Sequence, residues 1–395
     1  MTREIGVGII GTGFMGACHA LAFRAAPAVF ESRLGARLEM VADIDAGAAE
    51  AAARRFGFAR WTDDWRRLVE DPKVDLVAIT TPNHLHPEMA IAAAGACKAI
   101  YCEKPLAPTL DAARKMVEAA ERAGVVTLAG YNYLRSPVIE HAAQLIAEGA
   151  IGRPIHFRGQ FDEDYMADPA TPFSWRCRRD AAGTGVLGDM ASHLVAVARR
   201  LMGPVERVVA DTVTVIPDRP LPAAGDGTEK RGGAVALDPT GATRRVENED
   251  TAQALVRFEG GVLGSLMASR VHWGRKNHLS FEVFGTEGAL SVDHERMNEM
   301  QLFRRGEAAD RSGFRTLLVG PAHPHYARFS PAPGHGLGFN DLKVIEVAQL
   351  LDSLAGGPAA WPDFRGSLEI EGILAAIERS AESGAWVTPD PVPGP

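Results

Sequence analysis

The chain has 395 residues, a formal net charge of −8 and a hydrophobic fraction of 46%. A chain of this length can form two domains with separate cores. Because the charge is acidic overall and the arginines are spread along the chain, neither nucleic acid nor a membrane surface is expected as a partner.

The first third of the chain alternates short apolar runs with helical patterns, which is typical of parallel βαβ units. Strands are predicted over residues 5–10, 38–43, 75–80, 98–102 and 125–129. Helices are predicted over 15–24, 46–56, 87–94, 110–123 and 137–148, with an inserted loop over 27–35. The pattern predicts an α/β domain over residues 1–130 with a doubly wound parallel sheet.

Beyond residue 152 the pattern changes to long strands with alternating polarity. Strands are predicted over 155–161, 205–215, 251–258, 262–269, 279–284 and 289–292, with hairpin turns at 259–261 and 285–288. Helices are predicted over 185–202, 342–355 and 368–382, and a surface loop over 219–245. These elements predict an α+β domain over 131–389 with a large, mostly antiparallel open sheet. The last helices could pack back on the first domain, and residues 390–395 form a tail.

Cysteine usage and the N-terminus bear on the compartment. The four cysteines form no Cys-x-x-Cys pair, which favours free thiols in a reducing compartment and no bound metal. Residues 1–10 carry no basic stretch followed by a hydrophobic segment, so no secretory signal is expected. No apolar run approaches membrane-spanning length, and a cytoplasmic protein is predicted.

A glycine-rich segment joins the first strand to the first helix, and it reads Gly11-Thr12-Gly13-Phe14-Met15-Gly16. The first glycine permits a tight turn, the second lets the backbone approach a pyrophosphate, and the third allows close helix–strand packing. The unpaired N–H groups of the helix N-terminus favour an anion there. The segment predicts a dinucleotide site, and a tight turn without a ligand is the alternative.

Polar residues follow the next strands at the edge where such a sheet binds its ligand. Asp43 can accept hydrogen bonds from a ribose 2′-OH, and Ile44 follows it, so NAD is favoured over NADP. The alternative for Asp43 is an N-cap, although Asp45 suits that role better. Thr81-Pro82-Asn83 can flank the adenosine or ribose. His86 either joins them or is a first-turn residue without a ligand.

Lys104 lies at the end of a predicted buried strand, within Glu103-Lys104-Pro105. Pro105 lacks an N–H and ends strand pairing, so the ammonium can project into the crevice. A surface lysine at a strand end is the alternative. Asp189 and His193 lie four apart on a predicted helix, where a carboxylate can orient an imidazole as a general base. An ordinary helix pair is the alternative, although the glycine-rich lead-in 183–188 lets the helix start approach a ligand.

Two aromatic–polar clusters could stack on a sugar face and bind its hydroxyls, and packing at a domain rim is the alternative. They are Trp175-Arg176 and Tyr131-Asn132-Tyr133.

In order and spacing, these motifs and the hairpin 285–288 resemble the glucose–fructose oxidoreductase/inositol dehydrogenase (Gfo/Idh/MocA) family, over residues 5 to 387. The resemblance implies an N-terminal Rossmann domain and a C-terminal domain for substrate binding and oligomerisation. Homodimers or homotetramers would form through its open sheet. It also implies NAD as the cofactor.

By this resemblance Lys104, Asp189 and His193 are the catalytic set: Lys104 holds the reacting hydroxyl, His193 takes its proton and Asp189 orients both substrate and His193. The implied cofactor-binding residues are Gly11, Gly13, Phe14, Met15, Gly16, Asp43, Ile44, Thr81, Pro82, Asn83, His86, Glu103, Lys104, Asn132, Trp175 and Arg176. The implied substrate-binding residues are Lys104, Tyr133, Tyr165, Arg176, Asp189, His193 and His335. Leu134 departs from the arginine that commonly follows Asn132-Tyr133 in the family.

The implied activity is NAD-dependent oxidation of a ring secondary hydroxyl of a sugar or cyclitol. The segments Ser174-Trp175-Arg176, Gly313-Phe314-Arg315 and 320–324 are most similar to family members that oxidise pyranosides at C3. Levoglucosan or another pyranoside without a free anomeric hydroxyl is therefore the first expectation, and myo-inositol is the second. Two alternatives stay open: an NAD-dependent glycoside hydrolase without net redox change, and a non-catalytic nucleotide sensor.

Overall fold

The structure is a computed structural model in which residues 3–223 and 236–392 are described. The chain divides into two compact units. The first comprises the residues up to Arg135, Gly338–Glu369 and the residues from Val392. The second comprises Ser136–Leu337 and Ile370–Pro391.

A parallel sheet forms the centre of the first unit, with strand order β3-β2-β1-β4-β5-β6. Its strands are β1 Arg3–Ile10, β2 Leu34–Ala42, β3 Arg60–Thr62, β4 Leu76–Ile79, β5 Ala99–Cys102 and β6 Thr127–Ala129. Its helices are α1 Phe14–Val29, α2 Ala46–Phe56, α3 Trp65–Glu70, α4 His86–Gly95 and α5 Leu110–Ala123. Strands β4 and β5 are buried throughout because helices cover both faces of such a sheet. The predicted doubly wound fold is confirmed, and its topological switch point lies between β1 and β4.

Two predictions for this unit are wrong in detail. Pro27 lies inside α1, so the loop expected over 27–35 is confined to residues 30–33. The proline is tolerated because it falls in the last turn, where Phe30 N–H still donates to Ala26 O at 3.0 Å. Strand β3 and helix α3 were not predicted, since elements of three and six residues are too short to show a periodicity.

The second unit contains a sheet with strand order β16-β15-β14-β13-β7-β12-β11-β8, antiparallel except between β7 and β12. Its strands are β7 Pro154–Asp162, β8 Val205–Val213, β11 Thr251–Phe258, β12 Leu263–Ser269, β13 His278–Gly285, β14 Gly288–Asp293, β15 Glu299–Arg304 and β16 Arg315–Leu318, and a small sheet pairs β9 Asp218–Pro220 with β10 Thr243–Arg245. Its helices are α6 Pro137–Ala147, α7 Arg179–Ala182, α8 Ser192–Met202 and α9 Tyr326–Phe329. The last helices of the chain are α10 Phe339–Leu354, in the first unit, and α11 Phe364–Ser383.

The two faces of this sheet differ in character. Phe157 and Phe161 of β7 are buried on the face that packs against α8. The opposite face carries Leu255 and Leu263 on the neighbouring strands β11 and β12 and Leu318 on the edge strand β16, with exposed fractions of 55%, 45% and 66%. The expected open sheet is therefore present, with apolar side chains on its uncovered face.

Three predictions for the second unit need correction. The surface loop predicted over 219–245 begins and ends in β9 and β10, and Arg219 is fully buried. Residues 224–235 of that loop lie outside the described part of the chain. Strands β15 and β16 were not predicted. The helix predicted over 185–202 is instead a π turn, Leu187–Ala191, followed by α8.

One helical stretch among the described residues, Arg179–Met202, is long and apolar enough by length and composition to cross a membrane. The expectation that no apolar run approaches this length is therefore wrong. The fold accounts for its composition, because 89% of the apolar window is buried, as in the core helix of a globular protein.

Candidate active site

The glycine turn of the first unit is compact. Gly11 has a φ of +102°, a conformation that an L side chain rarely adopts. A Cβ on Gly16 would lie 2.1 Å from the carbonyl oxygen of Gly11. These two glycines are therefore required by the protein's own packing, as the sequence pattern predicts for the first and third positions.

Gly13 differs from its neighbours. It precedes α1 without any side-chain cap, and a Cβ built on it would meet no protein atom within 4 Å. The packing of the chain itself therefore does not explain the missing side chain. A glycine that leaves open space at an uncapped helix N-terminus fits a pyrophosphate bound close to the backbone.

Asp43 connects the end of β2 to this turn. Its Oδ2 accepts hydrogen bonds from Thr12 N at 2.9 Å and Thr12 Oγ1 at 2.6 Å, and its Oδ1 accepts one from Asp45 N at 3.1 Å. A carboxylate has further lone pairs, so these bonds leave capacity for a ribose hydroxyl. Asp45 is the N-cap of α2, as weighed from the sequence, while Ile44 is 96% exposed.

An aromatic cluster in the first unit links the turn to a residue that sequence analysis did not single out. The Phe14 ring stacks on that of Phe339 with centroids 5.6 Å apart, and Tyr133 meets Phe339 edge-on at 6.0 Å. Phe339 is the first residue of α10 and lies more than three hundred positions after Phe14 in the sequence. No local sequence pattern indicates that it packs against the glycine turn. Met15 is half-buried in the first turn of α1.

The segment after β4 is tied to the Lys104 corner by His86. Thr81, Pro82 and Asn83 are half-buried, and His86 begins α4 with its ring fully buried. His86 Nε2 lies 2.8 Å from Thr81 O, and Nδ1 lies 2.9 Å from Pro105 O. Burial lowers the pKa of His86 despite these carbonyl contacts. Its ring thus holds two loops together, and direct contact with a cofactor stays a prediction.

Lys104 is half-buried and follows β5 as predicted. The preceding Glu103 is buried, and its carboxylate accepts hydrogen bonds from His19 and Lys343. Asn132 is also buried, and its Nδ2 has no hydrogen-bond partner among the described residues. An amide donor left unsatisfied in this unit fits the predicted role of Asn132 in binding a polar ligand.

In the second unit, Asp189 and His193 lie on either side of the junction between the π turn and α8. Residues four apart stay within roughly 40° of one face in either geometry, so the predicted alignment is preserved. Asp189 Oδ2 accepts a hydrogen bond of 2.6 Å from Tyr165 Oη, which brings together two predicted substrate residues. His193 is buried beside Phe161, with ring centroids 6.1 Å apart.

Gly185 allows this helix to start where it does. A Cβ there would lie 2.1 Å from the carbonyl oxygen of Glu249. Glu249 also accepts a hydrogen bond from Leu187 N at 2.9 Å through its side chain. The glycine-rich lead-in thus lets the π turn pack against another backbone segment, which was one of its expected roles.

The remaining predicted residues of the second unit lie on two loops. The Arg176 guanidinium stacks over the Trp175 ring at 4.6 Å. The carbonyl of Arg176 is held by Asn248 Nδ2 at 2.8 Å, and Asn248 is bound in turn by Arg270 at 2.9 Å. His335 is exposed, and its backbone N–H donates to Tyr326 Oη at 2.9 Å.

Family comparisons agree with this geometry. Residues 5–131 match the model of an oxidoreductase family with an NAD-binding Rossmann fold, and residues 139–291 match the GFO/IDH/MocA C-terminal domain. The chain belongs to the Gfo/Idh/MocA family. It is an oxidoreductase with NAD as cofactor, as the glycine turn and Asp43 predicted.

Individual members of the family are similar to this chain over nearly its full length. The chain is 41% identical to levoglucosan dehydrogenase of Pseudarthrobacter phenanthrenivorans over 98% of both sequences. A solved levoglucosan dehydrogenase in complex with NADH and levoglucosan matches with a TM-score of 0.91 and 39% identity, covering 98% of this chain and all of that one. The complex with NADH and L-sorbose matches with a TM-score of 0.92 and 40% identity, covering 98% and 99%.

Proposed function

We propose that this oxidoreductase converts a ring secondary hydroxyl of a sugar or cyclitol into a ketone. The first candidate substrate is levoglucosan or another pyranoside oxidised at C3, and the second candidate is myo-inositol. The observation that carries the proposal is the Tyr165–Asp189 hydrogen bond beside His193, in a chain with an NAD-binding turn. The similarity to levoglucosan dehydrogenase over nearly the full length supports the substrate class.

Bound NAD supplies the hydride acceptor, and the chain supplies proton transfer and positioning. His193 takes the hydroxyl proton as a general base, and Asp189 orients it and the substrate. The Lys104 ammonium hydrogen-bonds the same hydroxyl oxygen and stabilises the negative charge that develops as the proton leaves. Tyr165 fixes the Asp189 carboxylate, so its oxygens point in one direction before the substrate binds.

Substrate recognition is assigned to side chains that combine a flat apolar surface with polar groups. Trp175 and Tyr133 offer rings for the sugar face, while Arg176 and His335 offer donors for its hydroxyls. Trp175, Arg176 and Asn132 are also proposed to contact the cofactor. In the first unit the proposed cofactor contacts are Gly11, Gly13, Phe14, Met15, Gly16, Asp43, Ile44, Thr81, Pro82, Asn83, His86, Glu103 and Lys104.

Two substitutions test the roles separately. Lys104→Ala and His193→Ala should each lower kcat by about 10²–10⁴-fold, the usual contribution of a positioned acid–base group, while NADH binding stays within a few-fold of wild type. Lys115→Ala on the exposed face of α5 is the matched control. Near-native turnover of either site variant with levoglucosan and inositol would contradict its assigned role.

We further propose that the chain forms a homodimer or homotetramer through the open face of the second unit's sheet. Leu255 and Leu263, exposed on the neighbouring strands β11 and β12, support this, because exposed apolar side chains that lie together mark interaction surfaces. A cytoplasmic location is also proposed, on the support of four free cysteines among the described residues. Light scattering after gel filtration tests the first proposal, and cell fractionation tests the second.

A further inference from the structure

A buried cluster of ionisable side chains lies behind the Lys104 corner in the first unit. Lys343 of α10 is fully buried and donates three hydrogen bonds: to Tyr101 Oη at 2.9 Å, Glu103 Oε1 at 2.6 Å and Glu346 Oε2 at 2.8 Å. An ammonium has three donors, so each is used. Tyr101 in turn donates to Glu346.

His19 completes the cluster from α1. Its Nε2 lies 2.7 Å from Glu103 Oε1, and its ring stacks on Tyr101 with centroids 4.3 Å apart. Burial lowers the pKa of His19, so it is a neutral donor to the carboxylate. Burial alone would raise the pKa of Glu103, but Lys343 and His19 outweigh it and hold that pKa far below its usual range.

Glu103 is fixed on its backbone side as well. Its N–H donates to Ile79 O at 2.9 Å, and Gly130 N–H donates to the adjacent Cys102 O at 2.8 Å. A Cβ on Gly130 would lie 2.7 Å from the Glu103 carboxylate, so glycine there makes room for it. The residue before Lys104 therefore has both its backbone and its side chain held in one position.

We propose that Lys343 is a positioning residue for Lys104: through its ion pair with Glu103 it fixes the corner after β5 from which the Lys104 ammonium projects. The inference rests on the proposed function, in which Lys104 contacts the reacting hydroxyl. Tyr101 of β5 and Glu103 just after it both contact Lys343, and Lys104 is the next residue of this corner. A small displacement of the corner would move the ammonium away from its hydrogen-bonding position, which is costly for catalysis.

The charges of the cluster permit a test that separates the positioning of Lys104 from the stability of the fold. Lys343→Met leaves two buried carboxylates without their cation, which destabilises the fold. Glu346→Gln in the same chain removes one of those charges and keeps an oxygen to accept from Tyr101. Lys343→Met/Glu346→Gln should therefore recover most of the melting temperature lost in Lys343→Met. Lys115→Met is the matched surface control.

If Lys343 positions Lys104, the double variant should keep a kcat about 100-fold below wild type with NADH affinity within about 3-fold. The kcat of the double variant should also fall as the pH is lowered, where wild type stays constant. The reason is that Glu103, without its cation, binds a proton that it shares with His19. In the wild-type protein the ionisable groups around Glu103 are Cys18, His19, His86, Tyr101, Lys343 and Glu346, and the double variant keeps the first four of them.

A kcat that recovers in step with the melting temperature, without a fall at low pH, would show a purely structural role and overturn the proposal. A wild-type protein that reduces NAD with none of the sugars would instead contradict the proposed function itself. The two failures are distinguishable because the wild-type assay decides the second before any variant is compared.

Discussion

Gly13→Ala separates cofactor binding from folding more cleanly than any other substitution in the glycine turn. Gly13 has φ −66° and ψ −166°, which alanine can adopt, and its Cβ would meet no atom within 4 Å. Reduced freedom of the unfolded chain favours alanine by about 0.4–1 kcal/mol, and alanine as an N-cap costs a similar amount. The free energy of unfolding should therefore change by less than about 1 kcal/mol.

The affinity for NADH should change far more. The added methyl group enters the space assigned to the pyrophosphate and lengthens its hydrogen bonds to the backbone. A hydrogen bond to a charged group contributes about 1.5–3 kcal/mol, so losing one weakens binding by roughly 10- to 150-fold. Urea unfolding without cofactor measures the first quantity, and NADH fluorescence titration measures the second.

Gly16→Ala is the contrasting variant. Its Cβ would lie 2.1 Å from Gly11 O, a backbone atom that must move, so both stability and NADH binding should fall. Overpacking of this kind costs about 1–3 kcal/mol. Native NADH affinity in Gly13→Ala would show that the open space at Gly13 is not the pyrophosphate site.

Three further predictions concern the second unit. Tyr165→Phe removes the 2.6 Å hydrogen bond to Asp189 and should lower kcat about 10-fold at unchanged NADH affinity; an unchanged kcat would contradict the role of Tyr165. Burial lowers the pKa of His294 from 6.5 to about 4, so the unfolded chain binds this proton first as the pH falls. The neutral, buried His294 stabilises the fold fully above pH 6.5, and about 3 kcal/mol of the free energy of unfolding is lost as the pH falls towards 4. The free energy of unfolding of His294→Gln, measured with urea, should therefore vary less between pH 6.5 and pH 4 than that of wild type. Leu255→Glu on the open sheet face should yield monomers by light scattering, and an unchanged mass would exclude this face as the interface.

The cofactor turn could be predicted from the sequence because its requirements are local. Gly11 and Gly16 are demanded by a positive φ and by a contact with a carbonyl five residues away. The buried strands around them are continuous apolar runs, which indicate a parallel sheet. The pairing of Asp189 and His193 could also be predicted locally, since residues four apart on a helix lie on the same face.

The supporting contacts could not be predicted, because they join residues far apart in sequence. Lys343 and Glu103 are 240 positions apart, and Phe339 meets Phe14 over a longer interval. Nothing in the local pattern around Lys343 distinguishes a buried ammonium from a lysine on a helix surface. The π turn at Leu187–Ala191 was also missed, because a change in hydrogen-bond register leaves the apolar pattern almost unaltered.

Isotope transfer from the sugar to the cofactor tests whether the enzyme oxidises a ring carbon with NAD. The enzyme is incubated with NAD and levoglucosan carrying deuterium at C3, and the cofactor and sugar are analysed by mass spectrometry. We expect reduced NAD that carries the deuterium, together with an equal amount of the ring ketone, and at least about 100-fold less of both from His193→Ala in the same time. Ring opening or release of a sugar without reduced NAD, or reduced NAD without the label, would contradict it.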